Sequence, residues 1–345
     1  MIRYGLIGCV VGGLAASFAY VAGWFPNAGY GYRLSPQRII DAFEATTHPH
    51  PGFRRNHAKG ICVTGRFDSS GKAAAISRAS VFAPGSYAVI GRFSAPGVNP
   101  GQPDASFKVR SFALQLNLPG YEQWRTGMNS VPIFAVGTPQ AVYEQLSAQT
   151  LDASGQTNPA LMDAFLRRHP EARAFENWLD SHPPSSAFFN ATYFSVNVFR
   201  TVDRSGQARY VRWRVVPDDP YRPLGDKAND DPDFLDHDLV ERLEHAPLRW
   251  HLMISVAKPG DPLDDATRQW ANERDRDSID AGTLVIDHAQ SQIDGPCRDI
   301  NFDPLILPDG IEPSNDPLLA ARSSAYAVSF NRRIREEAKF DAARH

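Results

Sequence analysis

The chain has 345 residues, enough for two domains or one large one. With 42% apolar and 22% charged residues it has ordinary globular composition, which excludes disorder, collagen and a polytopic membrane protein. A formal net charge of −3 offers no global field for nucleic acid, and three cysteines cannot build a disulfide framework. Only six of the 36 basic residues are lysine, leaving 30 arginines. Arginine suits bidentate recognition of carboxylates, but a GC-rich genome produces the same skew and is the preferred explanation.

Residues 1–30 form a separate N-terminal segment. After Arg3 no charged residue appears until Arg33, and residues 4–25 are mostly apolar or small. At about 1.5 Å per residue this stretch is long enough to cross a bilayer. It has no polar face, so a buried core helix is not expected. Ser17-Phe18-Ala19 offers small residues for signal cleavage, whereas the apolar run continues to Trp24-Phe25, aromatics suited to a membrane interface. The expectation is a single-pass membrane anchor, with a cleaved signal peptide as the alternative. Either one exports residues 31–345, the periplasmic side of the inner membrane being the expected location.

Beyond this segment, strands come first and helices later. Residues 60–67, 86–93 and 106–118 alternate apolar and polar side chains between Gly or Pro, the pattern of strands. Helical spacing follows over 139–148 and over 158–179, the latter with Leu161, Phe165 and Phe175 on one side. Residues 191–202 and 207–216 read as strands joined by the turn Asp203-Arg204-Ser205-Gly206. A short helix over 234–245 precedes strands over 248–256 and 282–287. A long terminal helix is predicted over 317–339, started by Asn315 or Asp316 as cap and Pro317 at its first position. Six or seven strands with helices grouped elsewhere argue an α+β fold around a closed or nearly closed sheet.

Several familiar chemistries are absent from the sequence. There is no GxGxxG opening a helix, no P-loop, no HExxH and no paired CxxC. Cys62 and Cys297 stand far apart and read as isolated core-filling thiols. The interleaved prolines of His48-Pro49-His50-Pro51 favour a stiff loop over a metal tract.

Two distant segments carry a resemblance. The first is Arg54-Arg55-Asn56-His57-Ala58-Lys59-Gly60, and the second runs from Phe302-Asp303-Pro304 through Gly310-Ile311-Glu312-Pro313-Ser314 to Arg322-Ser323-Ser324-Ala325-Tyr326. Between them lie Gly91-Arg92-Phe93-Ser94, Met128-Asn129-Ser130-Val131-Pro132-Ile133-Phe134, and Trp270 with Gly282-Thr283-Leu284-Val285. In this order, from about Pro51 to Arg333, the chain resembles the haem catalase family. The resemblance implies a distorted eight-stranded antiparallel barrel with a helical region and haem b between them. It makes Tyr326 the axial iron ligand with Arg322 as its partner, and His57 and Asn129 the distal catalytic pair. It further implies that Ser94 bonds His57, that Phe134 lies near the haem, and that Arg54, Arg92 and Arg333 hold its propionates.

The residue types are chemically apt for those roles. Arg322 and Tyr326 are four residues apart and meet on one helix face, and Arg333 returns to within about 20° of that face. A cation beside a phenol favours the phenolate, and tyrosine is the haem ligand of catalase. Splitting a peroxide requires a group that takes a proton from one oxygen and returns it to the other, which an imidazole can do. Asn129 can donate a hydrogen bond without acting as an acid.

Departures from the family shape the expected reaction. Ala327-Val328-Ser329 follows Tyr326 where Pro-Asp-Thr is usual, and Phe53 replaces an acidic residue. The chain stops 19 residues after Tyr326, without the helical domain of large catalases. It looks like the catalase-related peroxidases, which implies reduction of hydrogen peroxide or organic peroxides by a small organic reductant, with minor catalase activity. A dismutating catalase, a hydroperoxide-converting relative and a non-enzymatic haem carrier are the alternatives. No nucleic-acid partner is expected, and the resemblance is compatible with a homo-oligomer.

Overall fold

The computed structural model describes residues 34–344 apart from 49, 153, 226–229 and 272–275. The expected membrane segment over 4–25 therefore lies outside the described residues, among which no helix is long and apolar enough to cross a membrane. Ten strands form one antiparallel sheet: β1 (Gly60–Ser69), β2 (Gly85–Ser94), β3 (Ser111–Asn117), β4 (Gln123–Asn129), β5 (Tyr193–Phe194), β6 (Phe199–Val202), β7 (Ala208–Pro217), β8 (Leu248–Val256), β9 (Ser278–Ser291) and β10 (Ile311–Pro313). The order β7-β5-β4-β3-β2-β1-β9-β8 returns to β7 through the β7–β8 ladder, which closes an eight-stranded barrel. β6 and β10 extend from the free part of β7. The helices are α1 (Pro36–Ala45), α2 (Pro139–Ala148), α3 (Pro159–Arg168), α4 (Ala172–Ser181), α5 (Phe234–His245) and α6 (Pro317–Arg344).

Period-two alternation gives every barrel strand an inner and an outer face. Ile61, Val63, Val89, Phe93, Phe112, Leu114, Trp124 and Met128 point inward, where they meet Tyr193, Trp213 and Trp250 in the main core. Phe93 and Phe112 stack at 3.9 Å between centroids, and both are fully buried. Of the outward residues, Arg92, Ser94, Ser111, Ala113, Gly127 and Asn129 face a cavity also lined by α1 and α6.

Several elements differ from their sequence patterns for identifiable reasons. β4 lacks a hydrophobic run, since only Trp124, Thr126 and Met128 are buried along it. The helix predicted over 158–179 is two helices, because Pro170 lacks an amide proton and disfavours helical backbone at His169. The strand predicted over 191–202 breaks at Val196, whose φ of 62° leaves the β region. α1 has no counterpart in the predicted elements. Ser35 caps it through Arg38 N–H, Pro36 occupies its first position, and Ile39 and Ile40 are buried. Asp316 rather than Asn315 caps α6, accepting from Leu318 N–H at 2.9 Å.

Cys62 and Cys297 are joined in a disulfide with 5.3 Å between their Cα atoms, which corrects the reading of both as isolated thiols. Their separation of 235 residues carries no local spacing signal. Pairing of β1 with β9 brings the turn after β9 against the outer face of β1. A second tie holds α1 to α6. The buried Arg55 guanidinium bridges Glu44 on α1 and Glu336 on α6, while Arg332 reaches Asp41 at 2.6 Å and Glu44 at 2.9 Å.

Gly60 shows how tightly the outer face is built. A Cβ there would meet the Phe93 carbonyl oxygen and lie 2.8 Å from Arg92 Cζ. Gly60→Ala should therefore destabilise the protein by about 1–3 kcal/mol through overpacking. Urea unfolding measures this, and a variant as stable as wild type would contradict the packing described.

Candidate functional site

Two cross-strand rows on the outer face of β1–β4 supply the barrel side of the site. Sheet register places Gly60, Ser94, Ser111 and Asn129 side by side, one residue per strand. The next row holds Cys62, Arg92, Ala113 and Gly127. Adjacent strands lie about 4.8 Å apart, so each row spans about 14 Å. The small Ala113 and Gly127 leave room above the sheet for α6 to approach. A Cβ on Gly127 would stand 3.2 Å from Arg322 Nη2.

His57 precedes β1 in a left-handed conformation, φ 57°, which a β-carbon disfavours. Three contacts hold it there. Asn56 Oδ1 accepts from His57 N–H and Gly97 N–H, both at 2.9 Å, and Arg92 Nη2 donates to the His57 carbonyl at 2.8 Å. Ser94 Oγ lies 3.4 Å from His57 Nδ1. Asn129 Oδ1 accepts from Ser111 Oγ at 2.7 Å, which leaves its amide nitrogen for the cavity. Burial, then the charges of Arg92, Arg322 and Arg54, push the His57 pKa down to about 3. The imidazole is therefore neutral at neutral pH.

α6 supplies the opposite chemistry. Arg322 Nη2 donates to Tyr326 Oη at 3.2 Å, one helical turn away. Its Nη1 donates to Asn197 Oδ1 at 2.5 Å, and Asn197 Nδ2 donates to Asp316 Oδ2 at 2.7 Å. Asn197 is fully buried just after the break at Val196, so the interrupted strand is what aims it at Arg322. The Arg322 guanidinium also lies 5.6 Å from the Phe134 ring centroid. Asp303 is tied to the same helix by Ser323 Oγ at 2.6 Å.

The third group is cationic. Arg54 Nη2 donates to the carbonyls of Cys297, Arg298 and Ile300, at 2.9, 3.2 and 2.9 Å. Arg333 Nη1 donates to the Arg298 carbonyl at 2.5 Å, and Arg92 Nη2 to Gln292 Oε1 at 2.5 Å. Arg92 and Arg333 are 2% and 3% exposed, and the Nε of each is buried without a hydrogen-bond partner. Among the described residues neither Arg54 nor Arg92 has a carboxylate within ion-pair distance, and Arg333 has only Asp299 at 3.9 Å. Burial first, then Arg92 and Arg333, lower the pKa of Arg54 well below its ordinary value; burial takes Arg92 down to about 9. Charge of one sign is concentrated where a carboxylate ligand would relieve it.

All nine residues predicted from sequence line one cavity. Its volume is about 240 Å³, against the 10–15 Å³ or so that a single water needs. Ile39, Ile40 and Phe43 of α1, with Phe302, Ala325 and Phe330, make much of its wall apolar. An apolar slot with a phenol, an imidazole and orphaned guanidinium nitrogens fits a flat, iron-bearing cofactor that carries carboxylates. Sequence reasoning missed Asn56, Ser111, Asn197, Asp316 and the carbonyl turn at 297–300. None of these stands in a spacing that signals its partner, although Asn56 and Asp316 lie inside the quoted motifs. Conversely, Ile311-Glu312-Pro313 is structural here: it forms β10 beside β6.

The His57 environment has a measurable consequence. Its folded pKa near 3 lies below its unfolded value near 6.5, so between these pH values only the unfolded state takes the proton. Stability contributed by neutral His57 is therefore complete above pH 6.5 and lost as pH falls toward 3. His57→Asn tolerates the left-handed backbone and cannot titrate. Between pH 7 and pH 5 wild type should lose up to about 2 kcal/mol more stability than this variant. Equal losses in urea unfolding at the two pH values would contradict the assignment.

Comparison with known proteins agrees with this geometry. The family model described as Catalase matches residues 34–340. A catalase-related peroxidase of Synechococcus elongatus is 36% identical over 309 residues, covering 88% of this chain and 89% of the relative. One from Mycolicibacterium paratuberculosis is 29% identical over 299 residues, covering 86% and 94%. Among solved structures, a fungal catalase superposes with a TM-score of 0.75 at 18% identity, and catalase A of Saccharomyces cerevisiae with 0.75 at 19%. The match covers 89% of this chain in both cases but only 64% and 66% of those longer chains. The chain belongs to the catalase family.

Proposed function

We propose that this protein is a haem-dependent peroxidase that reduces hydrogen peroxide or organic peroxides with a small organic reductant. The observation that carries the reading is one cavity holding Tyr326 with Arg322 on α6, His57 just before β1, Asn129 at the end of β4, and three buried arginines held chiefly by carbonyl and amide oxygens. Residues 31–345 then form a single haem-binding core domain. Haem b suits the site because its two propionates match the buried guanidinia of Arg54, Arg92 and Arg333, and its iron matches the phenol of Tyr326. When bound, haem supplies the electrons that cleave the peroxide bond.

The protein's part is to hold the peroxide and move its proton. Neutral His57 accepts the proton from the near oxygen at Nε2, while Ser94 is placed to orient the ring through Nδ1. The same imidazole returns that proton to the far oxygen, which leaves as water or an alcohol. Burial, the largest cause of the lowered His57 pKa, disfavours imidazolium, so the proton is held only transiently. Asn129, its carbonyl oxygen engaged by Ser111, offers its amide N–H to the peroxide. Arg322 donates to the Tyr326 oxygen and is itself steadied by Asn197 and Asp316.

Peroxidase turnover is favoured over dismutation by the two relatives named catalase-related peroxidase, which match this chain over most of their lengths. With peroxide and a dye such as ABTS, dye oxidation should exceed oxygen release. Rapid oxygen release without dye oxidation would contradict the proposal. Export with attachment through residues 4–25 is supported by their charge-free apolar run and by the Cys62–Cys297 disulfide, a bond typical of oxidising compartments. Fractionation with N-terminal sequencing should find the full chain in the membrane fraction. A cytoplasmic protein would end this part of the proposal, and an exported protein starting near residue 20 would indicate a cleaved signal. Assembly into a homo-oligomer is compatible with the same reading.

A further inference from the structure

The arginines at the carboxylate end of the cavity share an unusual support. Arg54 and Arg333 rest chiefly on the carbonyl oxygens of one turn, residues 297–300, with Asp299 of that turn 3.9 Å from Arg333. That turn follows β9 without regular secondary structure. Its backbone–backbone bonds are local, Arg298 N–H to Gly295 O at 3.0 Å and Ile300 N–H to Cys297 O at 3.3 Å, while Cys297 N–H donates to Cys62 Sγ at 3.2 Å. Side chains tie the turn at its surface, Arg298 to Glu337 at 3.1 Å, and Arg125 holds the adjoining Asn301 carbonyl at 2.6 Å, but among the described residues no backbone ladder joins it to the barrel.

The Cys62–Cys297 disulfide supplies the missing constraint. Cys62 lies in β1 directly beside Arg92 of β2, so the bond starts on the barrel wall that carries the third arginine. It ends at Cys297, whose own carbonyl accepts from Arg54. Both cysteines are fully buried and pack with Phe302, Ile300 and Ala113, all of which line the cavity. A Cβ on Gly295 would come within 2.6 Å of Cys62 Sγ, so the turn lies flat on the bridge. One covalent link thus connects the strand pair bearing Arg92 to the carbonyls that aim Arg54 and Arg333.

We propose that the Cys62–Cys297 disulfide is the positioning element of the carboxylate-binding end of the cavity. It fixes the 297–300 turn so that Arg54 and Arg333 face the cofactor's carboxylates alongside Arg92. This rests on the haem reading above. The bridge does not touch reacting atoms, and its role is to keep the cofactor seated.

The test uses the full haem-loaded chain and reads cofactor retention, not turnover. Haem loss to excess apomyoglobin is followed for wild type, the double variant Cys62→Ala/Cys297→Ala, Arg54→Lys and the combination of all three substitutions. Removing the bridge should speed haem loss about tenfold with unchanged far-ultraviolet circular dichroism, the scale of one weakened charged hydrogen bond. If the bridge acts through Arg54, Arg54→Lys should add little once the bridge is gone, whereas Arg322→Lys should act independently of it. Unchanged haem loss without the bridge, or full additivity with Arg54→Lys, would overturn the proposal. Should the double variant fail to fold, Cys62→Ser/Cys297→Ser takes its place in the same measurement, faster haem loss supporting the proposal and unchanged haem loss overturning it. A wild-type protein that takes up no haem would instead refute the cofactor reading itself.

Discussion

Like charges buried together are the constraint on which this structure turns. Arg54, Arg92 and Arg333 are brought to one end of an apolar cavity with carbonyls, not carboxylates, as their main partners. Taking a guanidinium out of water is unfavourable unless its charge is compensated, and three neighbouring ones compound the penalty. Stability is therefore given up locally so that an anionic ligand gains when it binds. The orphaned Nε atoms of Arg92 and Arg333 mark where that gain is available.

The same charge reaches the distal residues. Arg92 donates to the His57 carbonyl while its charge, with those of Arg322 and Arg54, depresses the His57 pKa. Burial is the larger cause of that depression, and the guanidinium charges add to it. The arginine end and the distal end of the cavity are thus joined through one side chain, Arg92.

Much of the architecture is legible in the sequence, for reasons that differ by element. Strong alternation in β1, β2 and β8 makes these strands visible, and the i, i+4 spacing of Arg322 and Tyr326 is enough to put both on one helix face. The nine predicted site residues converge because they lie in ordered motifs whose family resemblance carries tertiary information. What escapes sequence reasoning depends on contacts between distant segments. β4 is stabilised by its two neighbours rather than by hydrophobicity, Asn197 gains its role from a strand break, and the disulfide joins residues 235 apart. α1 is short and its capping signal, Ser35-Pro36, lies beside an apolar segment that dominates the reading of the N-terminus.

The central claim is that this cavity seats a haem whose iron is held by Tyr326 and whose carboxylates are held by the arginine cluster. It is tested most directly by the absorption spectrum and haem affinity of the full chain against Tyr326→Phe, which keeps the ring and removes only the oxygen. Wild type should bind haem with a spectrum that the variant cannot reproduce, and the variant should bind it at least about tenfold more weakly while remaining folded. A Tyr326→Phe protein with the native spectrum and undiminished haem affinity would contradict the account.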